Sequence, residues 1–105
     1  MYRTVKEYKR PDITAYFLHA RGWNDEEKIR EEKWVALQKR HPGRLSSNFM
    51  QVDDLTLHVE IVWESKEAHD AFFADPDVIE HFRYMDEYHA SQGITATRIV
   101  EEEIA

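Results

Sequence analysis

No cysteine occurs in this 105-residue chain, and glycine and proline occur only three times each. Without cysteine the chain has no disulfide framework, no thiolate zinc site and no thiol nucleophile, so nothing marks an oxidising compartment. Because glycine is so scarce, phosphate-binding glycine loops and dinucleotide fingerprints are absent, and a Ser-His-Asp nucleophile elbow is absent too. The familiar motifs of nucleotide-dependent, serine and cysteine enzymes are therefore excluded.

Long hydrophobic runs and an excess of positive charge are missing as well. No unbroken apolar run exceeds four residues, and the chain starts with polar and basic residues, so neither a membrane span nor a signal peptide is expected. Fourteen Lys and Arg face 21 Asp and Glu, and the net charge of −7 repels the phosphates of nucleic acids. These features predict a cytoplasmic protein with neither a nucleic-acid nor a membrane partner.

The length allows one small domain. Residues 1–12 carry four basic side chains and contain Pro11, which predicts a basic N-terminal arm, and residues 13–105 are predicted to form the domain. A chain this short buries only about two thirds of the surface that it exposes when unfolded. We therefore expect an apolar face to be left over for a partner subunit.

Hydrophobic periodicity and cap signals predict two strand–helix–strand units with an extra short helix in the second. The predicted strands are residues 13–20, 45–52, 55–63 and 94–100. The predicted N-caps of the three helices are Asn24, Ser65 and Asp75, and the predicted stops are residues 41–43, Asp75 and Gly93. Residues 101–103 are predicted to be a solvated acidic tail.

The segment 55–63 alternates between apolar and polar side chains. Its apolar face consists of Leu55, Leu57, Val59, Ile61 and Trp63, and its polar face of Thr56, His58 and Glu60. In this element order, the pattern predicts a ferredoxin-like α+β fold, βαββαβ, in which an antiparallel four-stranded sheet has its helices on one face. The first and third strands are expected side by side and parallel at the centre. The open polar face predicts a two-fold homodimer.

The segment 60–82, EIVWESKEAHDAFFADPDVIEHF, resembles the third-strand-to-helix segment of the dimeric α+β barrel superfamily, and Trp63-Glu64-Ser65 is its strongest match. This superfamily includes antibiotic biosynthesis monooxygenase-like proteins. The resemblance implies a ferredoxin-like domain that dimerises into an α+β barrel. It implies several activities, among them cofactor-independent quinone-forming oxygenases, haem degraders, lactone isomerases and polyketide cyclases, because fold does not fix function.

The haem-degrading branch of that superfamily pairs an Asn on the first strand with a Trp and a His after the third strand. The first strand predicted here offers Thr14 and Tyr16, the Trp position holds Phe72, and the His position falls near Arg83. All three positions depart from the pattern. Haem degradation is therefore disfavoured, and no cofactor is expected.

The long helix carries the best catalytic candidate. Val78, Phe82 and Met85 form an apolar stripe at helical spacing that ends in His89. A histidine in an apolar pocket can move a proton near neutral pH, so His89 is the candidate general acid or base. The alternative is a hydrogen-bonded structural histidine in the last helical turn, where the helix dipole favours it.

A ligand cavity is expected between the sheet and the helices. Its predicted lining residues are Phe17, Trp63, Phe72, Phe82 and Met85, with His19 or His69 joining His89 as polar groups. The register of the first strand stays open, because the opposite register would turn Tyr16 and Leu18 inward in place of His19. Of the adjacent pair Phe72 and Phe73, Phe72 is predicted to face the core.

Other polar residues have functional and structural interpretations. Lys33 and Arg40 interrupt the apolar arc of the first helix, where they could hold an anionic group or lay their stems over apolar surface. Trp34 is expected near a subunit contact, and Arg98 either anchors a carboxylate or guards an edge strand. His58 and Glu60 could hold a metal with their symmetry mates, but polar packing between subunits is favoured and no metal is expected.

Together these features predict a small dimeric domain that binds an apolar or aromatic small molecule between sheet and helices. The enzymatic interpretation is a cofactor-independent monooxygenase or a proton-transfer enzyme. The alternative is a non-enzymatic ligand carrier or sensor, or an accessory dimer.

Overall fold

The computed structural model of the protein describes residues 1–17 and 25–104. The elements in chain order are β1 (Tyr2–Lys9), α1 (Asp25–Arg40), β2 (Arg44–Asp53), β3 (Thr56–Trp63), α2 (Lys66–Ala74), α3 (Pro76–Ser91) and β4 (Thr95–Glu103). The four strands form one sheet in the order β2-β3-β1-β4 with antiparallel neighbours throughout. The predicted ferredoxin-like α+β fold is therefore confirmed.

The first strand is not where the sequence predicted it. Residues 2–9, interpreted as part of a basic arm, form the central strand β1, whereas residues 13–17 form a turn and irregular chain. The remainder of the predicted strand 13–20, including His19, lies outside the described residues, as does the Asn24 cap. Tyr2, Thr4 and Tyr8 lie at alternate positions of β1, share one face and are buried; Val5, next to the register shift between Val5 and Lys6, is buried as well.

The expected parallel pairing of the first and third strands is also wrong. β1 runs antiparallel to β3, with Tyr2 opposite Trp63 and Lys9 opposite Thr56. The helical crossover α1 leaves β1 parallel to β2, which lies two places away in the sheet. Because the hairpin turns β3 antiparallel to β2, β3 is antiparallel to β1 as well.

The later elements follow the sequence signals closely. The Ser65 hydroxyl accepts a hydrogen bond from Ala68 N at 3.1 Å and caps α2. The Asp75 carboxylate accepts one from Asp77 N at 3.0 Å and caps α3. Gly93 has φ +71°, the left-handed conformation that favours glycine after a helix. The acidic end, in contrast, is no free tail, because β4 continues to Glu103 beside β1.

The apolar face of the sheet carries two buried clusters. One consists of Tyr2, Leu37, Trp63, Phe72 and Val78. The other consists of Tyr8, Ala15, Phe17, Leu57 and Ile94. Side chains from all three helices and from the apolar faces of β1 and β3 meet there, which leaves the polar faces of these strands on the opposite side. Within the described residues, no helix is long and apolar enough to cross a membrane.

Candidate functional site

A cavity of about 210 Å³ lies between the sheet and the helices. Its apolar walls are formed by Phe17, Trp34, Phe49, Leu57, Val59, Ile61, Trp63, Phe72, Phe73, Phe82 and Met85. Such a wall fits a flat apolar ring system, because aromatic side chains offer large and rigid contact faces.

The inner end of the wall is built around Phe72, whose exposed fraction is 1%. The ring centroid of Phe72 lies 5.2 Å from that of Trp63 and 5.9 Å from that of Trp34. The prediction that Phe72 faces the core is confirmed, since Phe73 is only partly buried. These ring contacts fix the positions of α1 and α2 over β3.

The apolar stripe of α3 faces the cavity as its spacing predicted. Val78 is fully buried beneath the wall, Phe82 and Met85 line the cavity, and His89 lies at the stripe's end with 3% of its surface exposed. The ring centroid of His89 is 5.1 Å from that of Tyr8 on β1. Burial raises the pKa of Tyr8, so this phenol stays protonated and can donate a hydrogen bond.

The structure brings six of the predicted site residues together and separates one. Phe17, Trp63, Phe72, Phe82, Met85 and His89 all line the cavity. His69 is buried but lies outside the lining, edge-on to Trp63 with centroids 5.1 Å apart. Arg98 Nη1 contacts His69 Nε2 at 2.8 Å, and His69 Nδ1 contacts Asp70 Oδ1 at 2.9 Å, so His69 supports the wall from behind.

Sequence reasoning missed several polar residues of the cavity. Lys6 and Tyr8 were assigned to the arm, although the alternation of Tyr2, Thr4, Lys6 and Tyr8 is the signal that could have placed them on a strand. Arg44 and His81 had no such local signal. Both line the cavity because the tertiary fold carries β2 and α3 to its rim.

His81 of α3 stacks on Trp34 of α1, with ring centroids 4.4 Å apart and planes 10° apart. Burial, with a smaller contribution from the charge of Arg30, lowers the pKa of His81 to about 4. The imidazole is therefore neutral near pH 7. Trp34, expected near a subunit contact, is a wall residue of the cavity in this fold.

The charged residues in the described part of the cavity lining are all cations. Lys6, Arg44 and Arg98 line it, and the described lining contains neither Asp nor Glu. Burial lowers the pKa of Lys6, the neighbouring charge of Arg98 lowers it further, and Asp86 opposes both effects. Burial also lowers the pKa of Arg44. The cavity thus combines an aromatic wall with positive charge.

The other charged residues singled out in the sequence have structural partners. Arg40 is exposed and binds Asp75 and Asp77, with Nη2 to Oδ2 distances of 2.5 and 3.0 Å. Lys33 is exposed on α1. Neither side chain is part of the cavity lining as described.

The open face of the sheet carries ion pairs. His58 Nε2 lies 2.9 Å from Glu7 Oε2, and Arg3 Nε lies 2.6 Å from Glu60 Oε2. His58 and Glu60 therefore bind other side chains, and no group of three or more potential metal ligands occurs among the residues that the structure describes.

The positions compared with the haem-degrading pattern do not converge. Tyr16 is half-exposed, Phe72 is a core ring, and Arg83 binds Glu80 and Glu87 on the outer side of α3. Thr14 N donates a hydrogen bond to Asp12 Oδ1 at 2.8 Å in the turn after β1. Because the first strand is residues 2–9, Thr14 and Tyr16 do not occupy the strand position with which they were compared.

The fold and cavity define a ferredoxin-like α+β domain with an aromatic-walled, cationic cavity. No family model and no curated protein matches the sequence, but solved structures share the fold. SnoaB, a cofactor-independent oxygenase from Streptomyces nogalater, is 13% identical with a TM-score of 0.55, over 98% of this chain and 94% of that chain. A monooxygenase from the gene ActVA-Orf6 of Streptomyces coelicolor, in complex with the ligand nanaomycin D, is 18% identical with a TM-score of 0.56, over 99% and 89%.

These similarities show the fold alone. They confirm that the chain has the architecture expected from the resemblance to antibiotic biosynthesis monooxygenase-like proteins.

Proposed function

We propose that the cavity binds a flat aromatic small molecule and that the protein is a cofactor-independent monooxygenase of phenolic substrates. The observation that carries this proposal is the aromatic-walled cavity with the buried His89 at the end of its α3 wall. Of the structures with the same fold, one is named a cofactor-independent oxygenase and another holds nanaomycin D. Both descriptions support the proposal.

The chemistry assigned to His89 is proton transfer. Neutral imidazole can take the proton of a phenolic hydroxyl, and the resulting phenolate gives electrons to dioxygen more readily than the phenol does. In the overall reaction, one ring carbon loses its hydrogen and receives one oxygen atom as a carbonyl, the phenolic hydroxyl loses its hydrogen and becomes the second carbonyl, and the other oxygen atom leaves with these two hydrogens as water. The substrate supplies all the electrons. Tyr8, held protonated by burial, is positioned to donate a hydrogen bond beside His89.

The test uses 1,5-dihydroxynaphthalene, whose oxidation by one dioxygen gives 5-hydroxy-1,4-naphthoquinone and water. Oxygen uptake and the visible absorption of the quinone are measured with wild type and His89→Gln. We expect wild type to exceed the uncatalysed rate and the variant to lose about 100-fold or more of that acceleration, the usual contribution of a general base. Lys33→Gln is the control and should leave turnover unchanged, since Lys33 is exposed on α1 and lies outside the described cavity lining.

Equal turnover by wild type and His89→Gln would refute the role of His89. Tight binding of the naphthalene ring without oxygen uptake would instead support a carrier or sensor, the alternative class. A mainly apolar cavity with few polar groups fits that class as well.

We also propose that the domain is a homodimer whose subunits pack through the open faces of their sheets. This face presents paired charges, Arg3 with Glu60 and His58 with Glu7, and the edge strand β2 is exposed along most of its length. These paired polar side chains can pack against the same face of an identical copy, because a face that presents charges of both signs is complementary to itself.

Light scattering should give twice the 12.6 kDa chain mass for wild type. Met50 lies opposite His58 on the open face, so Met50→Arg should yield monomers. Ile79→Arg, an equally drastic change at an exposed position of α3, is the control and should leave the dimer intact. A monomeric wild-type protein at micromolar concentration would exclude the dimer.

A further inference from the structure

The sign of the charge in the cavity is opposite to that of the whole chain. The protein has a net charge of −7, yet the ionised side chains in the described lining are Lys6, Arg44 and Arg98. Charge of one sign inside a low-dielectric cavity attracts a ligand of the other sign more strongly than the same charge does in water. The lining therefore favours a ligand with a negative group.

Of the three cations, Arg98 has an ion-pair partner, whereas Lys6 and Arg44 have none among the described residues, and Lys6 is the one that lies beside His89 at the buried end of α3. Its Nζ lies 5.2 Å from the ring centroid of Tyr8 and 5.5 Å from that of Phe82, so it is held among aromatic faces. Among the residues with described positions, no carboxylate lies within ion-pair distance of Nζ. Asp86 on α3 attracts Lys6 only from farther away.

Of the other two cations, Arg98 already has polar partners and Arg44 lies far from Lys6. Arg98 lies opposite Lys6 in the sheet, but its Nη1 is shared between Glu101 Oε1 at 2.9 Å and His69 Nε2 at 2.8 Å. Arg44 is two strands and two side-chain rows away, roughly 17 Å from Lys6 by sheet spacing, and it lies over the Trp34 ring. Lys6 and His89, in contrast, share the border of a second depression with Asp86, so they belong to the same end of the cavity.

We infer that the cavity takes an aromatic carboxylic acid whose carboxylate pairs with Lys6 Nζ while its rings lie against Phe72 and Phe82. This inference rests on the proposed aromatic-ligand function and specifies its ligand class. A ligand carboxylate supplies the close counter-charge that Lys6 lacks among the described residues, where Asp86 acts only from farther away, and a charge-assisted hydrogen bond in a partly dry site is stronger than a neutral one. The lowered pKa of free Lys6 agrees with this interpretation, since an ammonium group that is desolvated without a counter-ion is destabilised.

Calorimetric titration with 2-naphthoate and 2-naphthamide tests the inference, because the two compounds share a ring system and differ in charge. At pH 7 we expect wild type to bind 2-naphthoate about tenfold or more tightly than 2-naphthamide. Lys6→Met keeps an unbranched stem and removes the charge, so it should bind both compounds with similar affinity. Lys6→Gln provides a second uncharged variant should Met perturb folding.

Lys9→Gln is the matched control. Lys9 lies on the same strand three residues later, its side chain is exposed, and strand alternation turns it to the opposite face of the sheet. The naphthoate preference should survive this change.

The outcomes separate this inference from the function on which it rests. If wild type binds both compounds equally, or if the preference survives Lys6→Met and disappears in Arg44→Gln, the carboxylate at Lys6 is refuted and the aromatic cavity stands. If neither compound binds to wild type, the proposed aromatic-ligand function fails, and the inference about Lys6 fails with it.

Discussion

Lowering the pH from 7 to 5 should destabilise the wild-type protein more than a His81→Phe variant. The His81 ring is sandwiched against Trp34 of α1, and burial lowers its pKa from 6.5 to about 4. The positive charge of Arg30 acts in the same direction. The folded state therefore accepts the neutral imidazole and disfavours the charged one.

The direction of the effect follows from proton linkage. Because the pKa is lower in the folded than in the unfolded state, the unfolded chain binds the extra proton between about pH 6.5 and 4. The stabilisation is complete above pH 6.5 and is lost as the pH falls towards 4. At pH 5, a pKa of 6.5 in the unfolded chain and of about 4 in the folded protein corresponds to a loss of about 2 kcal/mol from the free energy of unfolding. Partial exposure of the ring, and cation–π attraction between a charged imidazole and Trp34, reduce the expected loss to about 1 kcal/mol.

Urea unfolding at pH 7 and pH 5 measures this loss. Phenylalanine keeps an aromatic ring against Trp34 but does not titrate, so wild type should lose about 1 kcal/mol more than His81→Phe between the two pH values. Phe82→Leu is the control for a change in packing alone, and it should show the pH dependence of wild type. If wild type and His81→Phe lose the same free energy, the cation–π attraction cancels the effect of burial and our reasoning is wrong.

Three substitutions test the packing around the cavity, each by urea unfolding. Phe72→Ala removes a ring with 1% exposure and should cost about 3–5 kcal/mol, clearly more than Phe73→Ala at its partly buried neighbour; equal costs would contradict the assignment of Phe72 to the core. Gly43→Ala should be destabilising because the new Cβ would lie 2.7 Å from Ala68 Cβ, and adding Ala68→Gly should restore much of the loss. Ser65→Ala should cost about 1 kcal/mol through loss of the α2 cap, and an unchanged stability would show that this cap contributes nothing.

The parts of the fold that follow from local chemistry could be predicted. Helical spacing placed Phe82, Met85 and His89 on one side of α3, and cap residues located the starts of α2 and α3. These signals act within a few residues of each other, so they survive whatever the rest of the chain does. The one-sided pattern of β3 identified the apolar face of the sheet in the same way.

The first strand was misplaced because the apolar content of residues 13–20 outweighed the weaker alternation of residues 2–8, and because turn contacts override strand propensity in the residues after β1. Asp12 Oδ1 accepts hydrogen bonds from both the N–H and the hydroxyl of Thr14, which holds a turn. Arg10 then donates to the carbonyls of Ala15 at 3.1 Å and of Asp54 at 2.7 Å, which ties this turn to the β2–β3 hairpin. Neither contact is visible from apolar content, which is what favoured a strand over residues 13–20.

That error also concealed the charge of the cavity, because Lys6 was assigned to the predicted basic N-terminal arm. On an edge strand, a lysine of this length can bend its ammonium group out to water. β1 is a central strand, with β3 on one side and β4 on the other. The ammonium group of Lys6 lies beneath the ring of Phe82 on α3. An ammonium group in this position keeps only part of its hydration, so a negative group that approaches from within the cavity would stabilise its charged form. A positive charge at the centre of the sheet is thus compatible with a net charge of −7, since the surface residues set the net charge while the strand order places Lys6 where a ligand in the cavity would meet it.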